Sequence, residues 1–155
     1  MFPLAQVLIG LLVLNLGIAL GAGLYEARVV APVWGSALPE TARSPEALRR
    51  FWLFAATVPL TILSLFNFAM ALLEHGPWRL WWLFAALLVI AERVATFAYF
   101  IPALIHMQRA APGEPKEIEA RFAAWRMRNR LRLGVQAVAW LAALQSLLMA
   151  ARTHP

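Results

Sequence analysis

Apolar residues fill four long stretches of the chain, and polar residues gather in the segments between them. The stretches run over residues 3–33, 51–73, 80–105 and 133–151. Each is close to or beyond the roughly 20 apolar residues that a helix needs to cross a bilayer. The pattern predicts an all-α protein, an integral membrane four-helix bundle that forms a single domain over residues 1–155.

A charged segment, 116–132, precedes the last apolar stretch and keeps a helical character. Its acidic residues come first, at Glu117 and Glu119, and five arginines follow. This order suits the helix dipole, which favours acids near the N-terminus of a helix and bases further along. We therefore expect one long last helix that extends from the membrane into the cytoplasm.

Prolines and glycines within the apolar stretches predict breaks and close contacts. Pro32, Pro59 and Pro102 are expected to kink or end the helices that contain them. Gly17 and Gly21 form a G-x-x-x-G pattern. This pattern suits close packing inside the bundle or the contact face of a homo-oligomer, and both interpretations stay open at this point.

Composition and charge support the membrane interpretation and indicate an orientation. Hydrophobic residues make up 62% of the chain and charged residues 14%, against about 45–50% and about 25% in soluble domains. Segments 34–50 and 106–132 lie on one side and hold three and seven of the fourteen Lys and Arg. The positive-inside rule then places both termini outside and both long loops in the cytoplasm, in a cell (inner) membrane. The basic run is attributed to anionic lipid, and no nucleic-acid partner is expected.

Tryptophans lie near both ends of the predicted spans. Trp78, Trp81 and Trp82 fall near the outer end, and Trp34 and Trp52 near the inner end. Amphipathic rings at these levels are typical of the aromatic belt of membrane proteins. We therefore expect all five to be interfacial anchors.

Glu92 and Arg93 lie in the middle of the third apolar stretch. An ionised side chain there costs about 2.5–3.5 kcal/mol to insert. Adjacent residues of a helix point about 100° apart, so we expect each to find a partner on another helix and not to neutralise its neighbour. Ionisable groups at this depth either hold helices together or mark a functional site.

Helical spacing places further polar residues near these two, in one layer on the cytoplasmic side. Residues three, four, seven or eleven positions apart share a helix face. Taken helix by helix, the residues that share a face are Asn15 and Glu26; Thr57, Thr61 and Ser64; Glu92, Thr96 and Tyr99; and Trp125, Asn129, Arg132 and Gln136. Depth along the helices, at about 1.5 Å per residue, brings Glu26, Thr57, Glu92, Tyr99, Arg132 and Gln136 into the layer. An apolar shaft with a few convergent polar groups is typical of a small-molecule pocket.

This layer predicts an enzyme or enzyme-like protein that binds an apolar aromatic or quinone-like molecule. The catalytic candidates are Glu26, Glu92, Tyr99 and Arg132. A desolvated carboxyl group acts as a general acid or base, and Tyr99 and the arginine stabilise a developing oxyanion. The candidates for substrate binding are Arg28, Arg93, Thr96, Trp125, Asn129 and Gln136. With no cysteine and three scattered histidines, no metal site is expected, and no cofactor is expected either.

Two short motifs add a resemblance. One is Gly21-x-Gly23-Leu24-Tyr25-Glu26, followed by Val29-Val30-Ala31-Pro32-x-Trp34, and the other is Trp125-x-x-x-Asn129-x-x-Arg132. With four spans, the chain resembles the anthrone-oxygenase-like family of small membrane proteins. The resemblance implies a four-helix bundle and, in a few members, cofactor-independent oxygenation of polycyclic phenols. It also implies site roles for Tyr25, Glu26, Trp125, Asn129 and Arg132, with Glu26 as base, Arg132 as anion clamp and Tyr25 as a further substrate-binding residue.

Two further functions fit the same residues. A non-catalytic membrane scaffold or accessory subunit would use the buried ions to hold its helices together. A proton-coupled small transporter, acting as an oligomer, would use Glu92 as the carboxylate that carries the proton.

Overall fold

The computed structural model describes residues 2–33, 50–109 and 115–152, and almost all of them are helical. Four helices result: α1 over 2–33, α2 over 50–73, α3 over 79–109 and α4 over Pro115–Arg152. No strand occurs in these ranges. The predicted anchor Trp34 and the loop bases Arg43 and Arg49 lie outside the described residues.

The four helices are long and apolar enough to cross a membrane. The candidate spans are Leu4–Val30, Trp52–Leu73, Arg79–Met107 and Glu119–Arg152. The prediction of one long last helix is confirmed, because α4 runs without a break for 38 residues. It begins at a proline, which suits the first position of a helix because that position needs no amide hydrogen.

Each of α1 and α3 packs against both α2 and α4. The buried positions are rich in alanine, and small residues let helix backbones approach closely. Buried alanines of the central core are Ala19, Ala56, Ala85, Ala139, Ala142 and Ala143. Outward faces are apolar as well: Leu14, Phe66 and Leu80 are each 60% exposed or more. An exposed face of this kind is typical of a helix surrounded by lipid.

Pro32, Pro59 and Pro102 are accommodated by π-helical turns. These turns cover Glu26–Val30, Trp52–Thr57 and Thr96–Phe100, and each proline follows two residues after the last π-helical one. The residue before each proline donates its amide to the carbonyl five residues back. A proline supplies no amide to the carbonyl four residues back and its ring crowds that carbonyl, so the wider turn relieves both problems. Of the two expected effects, a kink or an end, the end of the helix is excluded for Pro59 and Pro102, since α2 and α3 continue to 73 and 109.

Of the three tryptophans predicted near the outer end of the spans, two belong to the core. Trp78 and Trp82 are 1% and 0% exposed. The indole Nε1 of Trp82 donates to Asn67 Oδ1 at 2.8 Å, and the Ser146 hydroxyl donates to the Trp78 carbonyl at 3.2 Å. The prediction of surface anchors is therefore wrong for these two, because the rings fill space between helices. Trp81 is exposed, as an anchor requires.

Glycines of α1 split between packing and open surface. A Cβ added at Gly23 would lie 2.5 Å from Leu133 Cδ2, and one at Gly17 would lie 3.4 Å from Trp140 Nε1. Both glycines therefore allow α1 to approach α4 closely. Gly21 has no described atom within 4 Å of the same position. The G-x-x-x-G pattern thus has one member inside and one outside, and the homo-oligomer remains a prediction.

Candidate binding site

The centre of the site is a buried ion pair between two adjacent residues of α3. Arg93 donates from Nε to Glu92 Oε2 at 2.6 Å and from Nη2 to Glu92 Oε1 at 2.7 Å. Both residues are more than nine-tenths buried. The expectation that they do not neutralise each other is wrong. The long arginine stem lets the guanidinium turn back across the 100° between the two positions, and pairing avoids an isolated buried charge.

Helix α4 adds a second arginine to the same carboxylate. Arg132 Nη1 lies 3.5 Å from Glu92 Oε1, and Gln136 Nε2 donates to that oxygen at 3.2 Å. Thr96, one turn further along α3, donates its hydroxyl there at 3.0 Å. The expectation that Glu92 finds partners on another helix is confirmed. Four residues thus converge on a single carboxylate.

Arg132 is held in place by three further groups. Its Nε donates to Asn129 Oδ1 at 3.0 Å, and its Nη1 donates to Thr96 Oγ1 at 3.4 Å. The guanidinium also stands over the Phe100 ring, 4.9 Å from the centroid. A cation over an aromatic face is attracted by the ring quadrupole, most strongly where water is excluded. We call Glu92, Arg93, Thr96, Asn129, Arg132 and Gln136 the ion cluster.

The ion cluster carries an excess of positive charge. Two guanidinium groups face one carboxylate, which leaves a net charge of +1 on its three ionised members. A second acid, Glu26, interacts electrostatically with Arg132. It occupies the first position of the π-helical turn of α1. Among the described residues Glu26 makes no ion pair within 4 Å. A negative oxygen of a ligand would be stabilised beside this cluster because charges interact strongly where water is excluded.

An aromatic group borders the ion cluster on one side. Trp125 stacks on Phe122 with ring centroids 5.8 Å apart and meets Phe100 edge-on at 6.4 Å. Tyr99 lies edge-on to Phe100 at 5.1 Å, and the Arg128 guanidinium covers its ring at 4.6 Å. The predicted residue Trp125 therefore lies next to the cluster, with Phe100 between it and Arg132.

Regular helical spacing misplaced one aromatic residue. It puts Tyr99 on the face of Glu92 and Thr96, but the ring that contacts Arg132 belongs to Phe100. The reason is the π-helical turn Thr96–Phe100, which contains an extra residue and shifts the face by one position. Phe100 is the site residue that the sequence interpretation missed. The signal for it was Pro102, two residues beyond the turn.

Several other predicted site residues lie away from the ion cluster. Tyr25 is 61% exposed, and Arg28 is exposed too. The Asn15 amide donates to the Ala55 carbonyl at 2.9 Å, which is the carbonyl that Pro59 cannot serve. Asn15, which shares a predicted helix face with Glu26, therefore satisfies a backbone carbonyl of α2.

The predicted polar face of α2 also serves its own backbone. The Thr61 hydroxyl donates to the Thr57 carbonyl at 2.7 Å, and the Ser64 hydroxyl donates to the Thr61 carbonyl at 2.8 Å. These bonds occupy the hydroxyl hydrogens and leave lone pairs on the oxygens. The hydrogen bonds that Glu92 accepts from described residues come from Arg93, Thr96 and Gln136, and none comes from Thr61 or Ser64.

A groove of about 500 Å³ lies between α2 and α3. Thr61, Ser64 and Leu65 form one wall, and Arg93, Phe97 and Ala98 are among the residues of the other. The groove is apolar apart from the two hydroxyls and the guanidinium. It therefore connects the ion cluster, through Arg93, with the outer face of the helices.

Comparison of the chain with protein-family models, with curated proteins and with solved structures gave no match.

Proposed function

We propose that the chain is a multi-pass protein of a cell (inner) membrane, folded as a four-helix bundle. The four apolar helices and their apolar outward faces support this location. The excess of Lys and Arg in segments 34–50 and 106–132 supports an orientation with both termini outside and the basic end of α4 in the cytoplasm.

In this membrane the protein binds an apolar aromatic or quinone-like molecule whose oxygen lies against the ion cluster. The observation that carries this proposal is the pairing of two guanidinium groups, that of Arg93 buried and that of Arg132 largely so, with one carboxylate. Within 4 Å the two cations share this one carboxylate, and the second acid, Glu26, interacts with Arg132 only from beyond that distance. The second cation suits a ligand oxygen that is negative or strongly polarised.

The rings around Arg132 support an aromatic ligand. Phe100 and Trp125 present flat apolar surfaces beside a fixed cation. Pockets for small molecules usually combine such apolar walls with a few placed polar groups. The resemblance to anthrone-oxygenase-like proteins points to the same ligand class, and with it Glu26 is proposed as a base and Arg132 as a clamp for the oxyanion.

A titration with a matched pair of ligands tests the binding proposal. Anthraquinone and anthracene have the same tricyclic ring system, and only anthraquinone has oxygens. We expect the purified protein in detergent to show saturable quenching of tryptophan fluorescence by anthraquinone and not by anthracene. Loss of one charge-assisted hydrogen bond costs about 1.5–3 kcal/mol, so glutamine in place of the arginine that contacts the ligand, Arg93→Gln or Arg132→Gln, should weaken binding by about 10- to 150-fold.

Controls separate loss of binding from loss of fold. Arg121 forms an exposed pair with Glu117 on the same helix, so Arg121→Gln is a matched variant expected to bind like the unsubstituted protein. Circular dichroism establishes that each variant keeps its helices. Equal, non-saturable responses to both ligands would contradict the proposal.

Oxygenation is a separate proposal that rests on the resemblance alone. Conversion of anthrone to anthraquinone consumes one O2 and releases one water, and needs a base to remove a proton from the ring carbon. Oxygen consumption with anthrone should then depend on Glu26, and Glu26→Gln should abolish it while anthraquinone binding is retained. Consumption at the rate of a protein-free detergent blank would exclude this activity.

A scaffold role is the second candidate function. It is favoured by the number of partners that the Glu92 carboxylate already has within the protein. Its carboxylate already contacts Arg93, Thr96, Gln136 and Arg132, as a group that only holds helices together would. This role predicts no difference between the two ligands and a protein partner that co-purifies with the chain.

A further inference from the structure

The ion cluster has two sides, and they differ in the groups that surround a ligand. On one side Arg132 lies near Glu26 and the aromatic group. On the other side Arg93 forms part of the groove between α2 and α3. A ligand beside Glu26 places its oxygen near a carboxylate, whereas the groove contributes no acidic residue from its walls.

Arg93, which lines the groove, has one guanidinium nitrogen without a hydrogen-bond acceptor among the described residues. Its Nε and Nη2 are bound to Glu92, and within the described residues its Nη1 donates no hydrogen bond. A guanidinium nitrogen can only donate. An oxygen acceptor in the groove would therefore complete the hydrogen bonding of a side chain that is 6% exposed.

The wall of the groove formed by α2 provides hydrogen-bond acceptors. The hydroxyl hydrogens of Thr61 and Ser64 are directed to backbone carbonyls of their own helix. Their oxygens are left as acceptors, and Ser64 is 1% exposed. The groove therefore provides a cationic donor on one wall and neutral acceptors on the other. A carbonyl oxygen next to a hydroxyl group, as in a hydroxyquinone, matches both.

The size of the groove limits which ligands fit into it. On α3 it extends from Ile90 to Ala98, which is about 12 Å at the rise of an α-helix. A volume of about 500 Å³ lies within the range of pockets that hold small molecules, about 300–1,000 Å³, and is enough for a compact ring system.

The rim of the groove is apolar and faces outward. Leu65, Val94 and Phe97 are each half or more exposed. A molecule dissolved in the surrounding apolar phase reaches the groove sideways, without crossing a polar barrier. An acyl chain of a bilayer lipid would cover the same apolar surface but would bring no acceptor to Arg93.

We infer that the ligand of the proposed function binds in this groove, as a planar ring molecule with a carbonyl or phenolate oxygen on Arg93. The inference rests on the proposed function and names its site, its access from the lipid phase and a further set of ligand contacts. Phe97 and Leu65 cover the ring faces, and Ser64 accepts a hydrogen bond from a neighbouring hydroxyl group.

A tryptophan placed in the groove tests this assignment. Ala98 lines the groove, and Ala91 is exposed two turns earlier on α3 without lining it. Ala98→Trp should weaken anthraquinone binding by about tenfold or more, and Ala91→Trp should change it by less than about twofold. Leu65→Trp, on the opposite wall, provides a second obstruction if Ala98→Trp does not fold.

The outcomes separate the site from the function. If Arg132→Gln weakens binding while both groove variants bind normally, the ligand lies on the Glu26 side and the inference is overturned, but the proposed function stands. If anthracene competes as well as anthraquinone, the groove holds hydrocarbon without using Arg93, and the inference is again overturned. If the unsubstituted protein binds neither ligand saturably, both proposals fail.

Discussion

Replacing Glu92 by glutamine leaves the buried guanidinium group of Arg93 and the largely buried one of Arg132 without their shared counter-charge. The substitution removes the bidentate ion pair with Arg93 and the ionic contact with Arg132. A glutamine retains one oxygen for Thr96, but its amide nitrogen cannot accept from Arg93 Nε. Breaking a buried ion pair by removing one partner costs about 3–5 kcal/mol.

This loss is large enough to measure by thermal unfolding. At about 2–4 °C per kcal/mol for a chain of this size, Tm should fall by about 6–20 °C. Tryptophan fluorescence or circular dichroism of the purified protein in detergent reports the transition. The double variant Glu92→Leu with Arg93→Met should recover part of the loss, because well-packed apolar residues often replace a buried ion pair without cost.

An exposed ion pair in the same chain provides the control. Glu117 and Arg121 are paired one turn apart on α4, with both side chains about half exposed. Such pairs contribute about 0–1 kcal/mol, so Glu117→Gln should shift Tm by no more than about 4 °C. If Glu92→Gln proves no more destabilising than Glu117→Gln, the reasoning about the buried cluster is refuted.

Two further substitutions test the helix contacts by the same thermal assay. Asn15→Ala removes the hydrogen-bond donor for a carbonyl that Pro59 cannot serve, and should cost about 1 kcal/mol of stability. In a Pro59→Ala background the backbone amide returns, so the same substitution should cost less. Equal costs in both backgrounds would count against the explanation. Trp82→Phe leaves Asn67 Oδ1 buried without its donor and should cost about 1–3 kcal/mol. The exposed Trp81→Phe should cost less than about 0.5 kcal/mol, and equal effects would show that the indole bond is unimportant.

Much of the polar layer was predictable because helical spacing is a local property. Glu92, Thr96, Asn129, Arg132 and Gln136 meet in the ion cluster, as their positions on two faces predicted. Spacing alone does not reveal how far a side chain reaches. Arg93 was therefore assigned a distant partner, although its guanidinium turns back to the adjacent residue.

The π-helical turns account for another part of the disagreement. A face calculated at regular spacing holds only while each amide binds the carbonyl four residues back. Beyond the turn at Thr96–Phe100 the face moves by one residue, which brings Phe100 and not Tyr99 to Arg132. The prolines that cause these turns were visible in the sequence, but they were interpreted as kinks or ends.

The sequence by itself determined the number, length and apolar character of the helices, because these depend on runs of residues and on local backbone preferences. It also determined that ionisable groups lie inside the protein. Only the tertiary structure decided which groups meet, since contacts between helices depend on their separation and rotation. Three features depend on such contacts: the burial of Trp78 and Trp82, the hydrogen bond from Asn15 to a carbonyl of α2, and the groove beside Arg93.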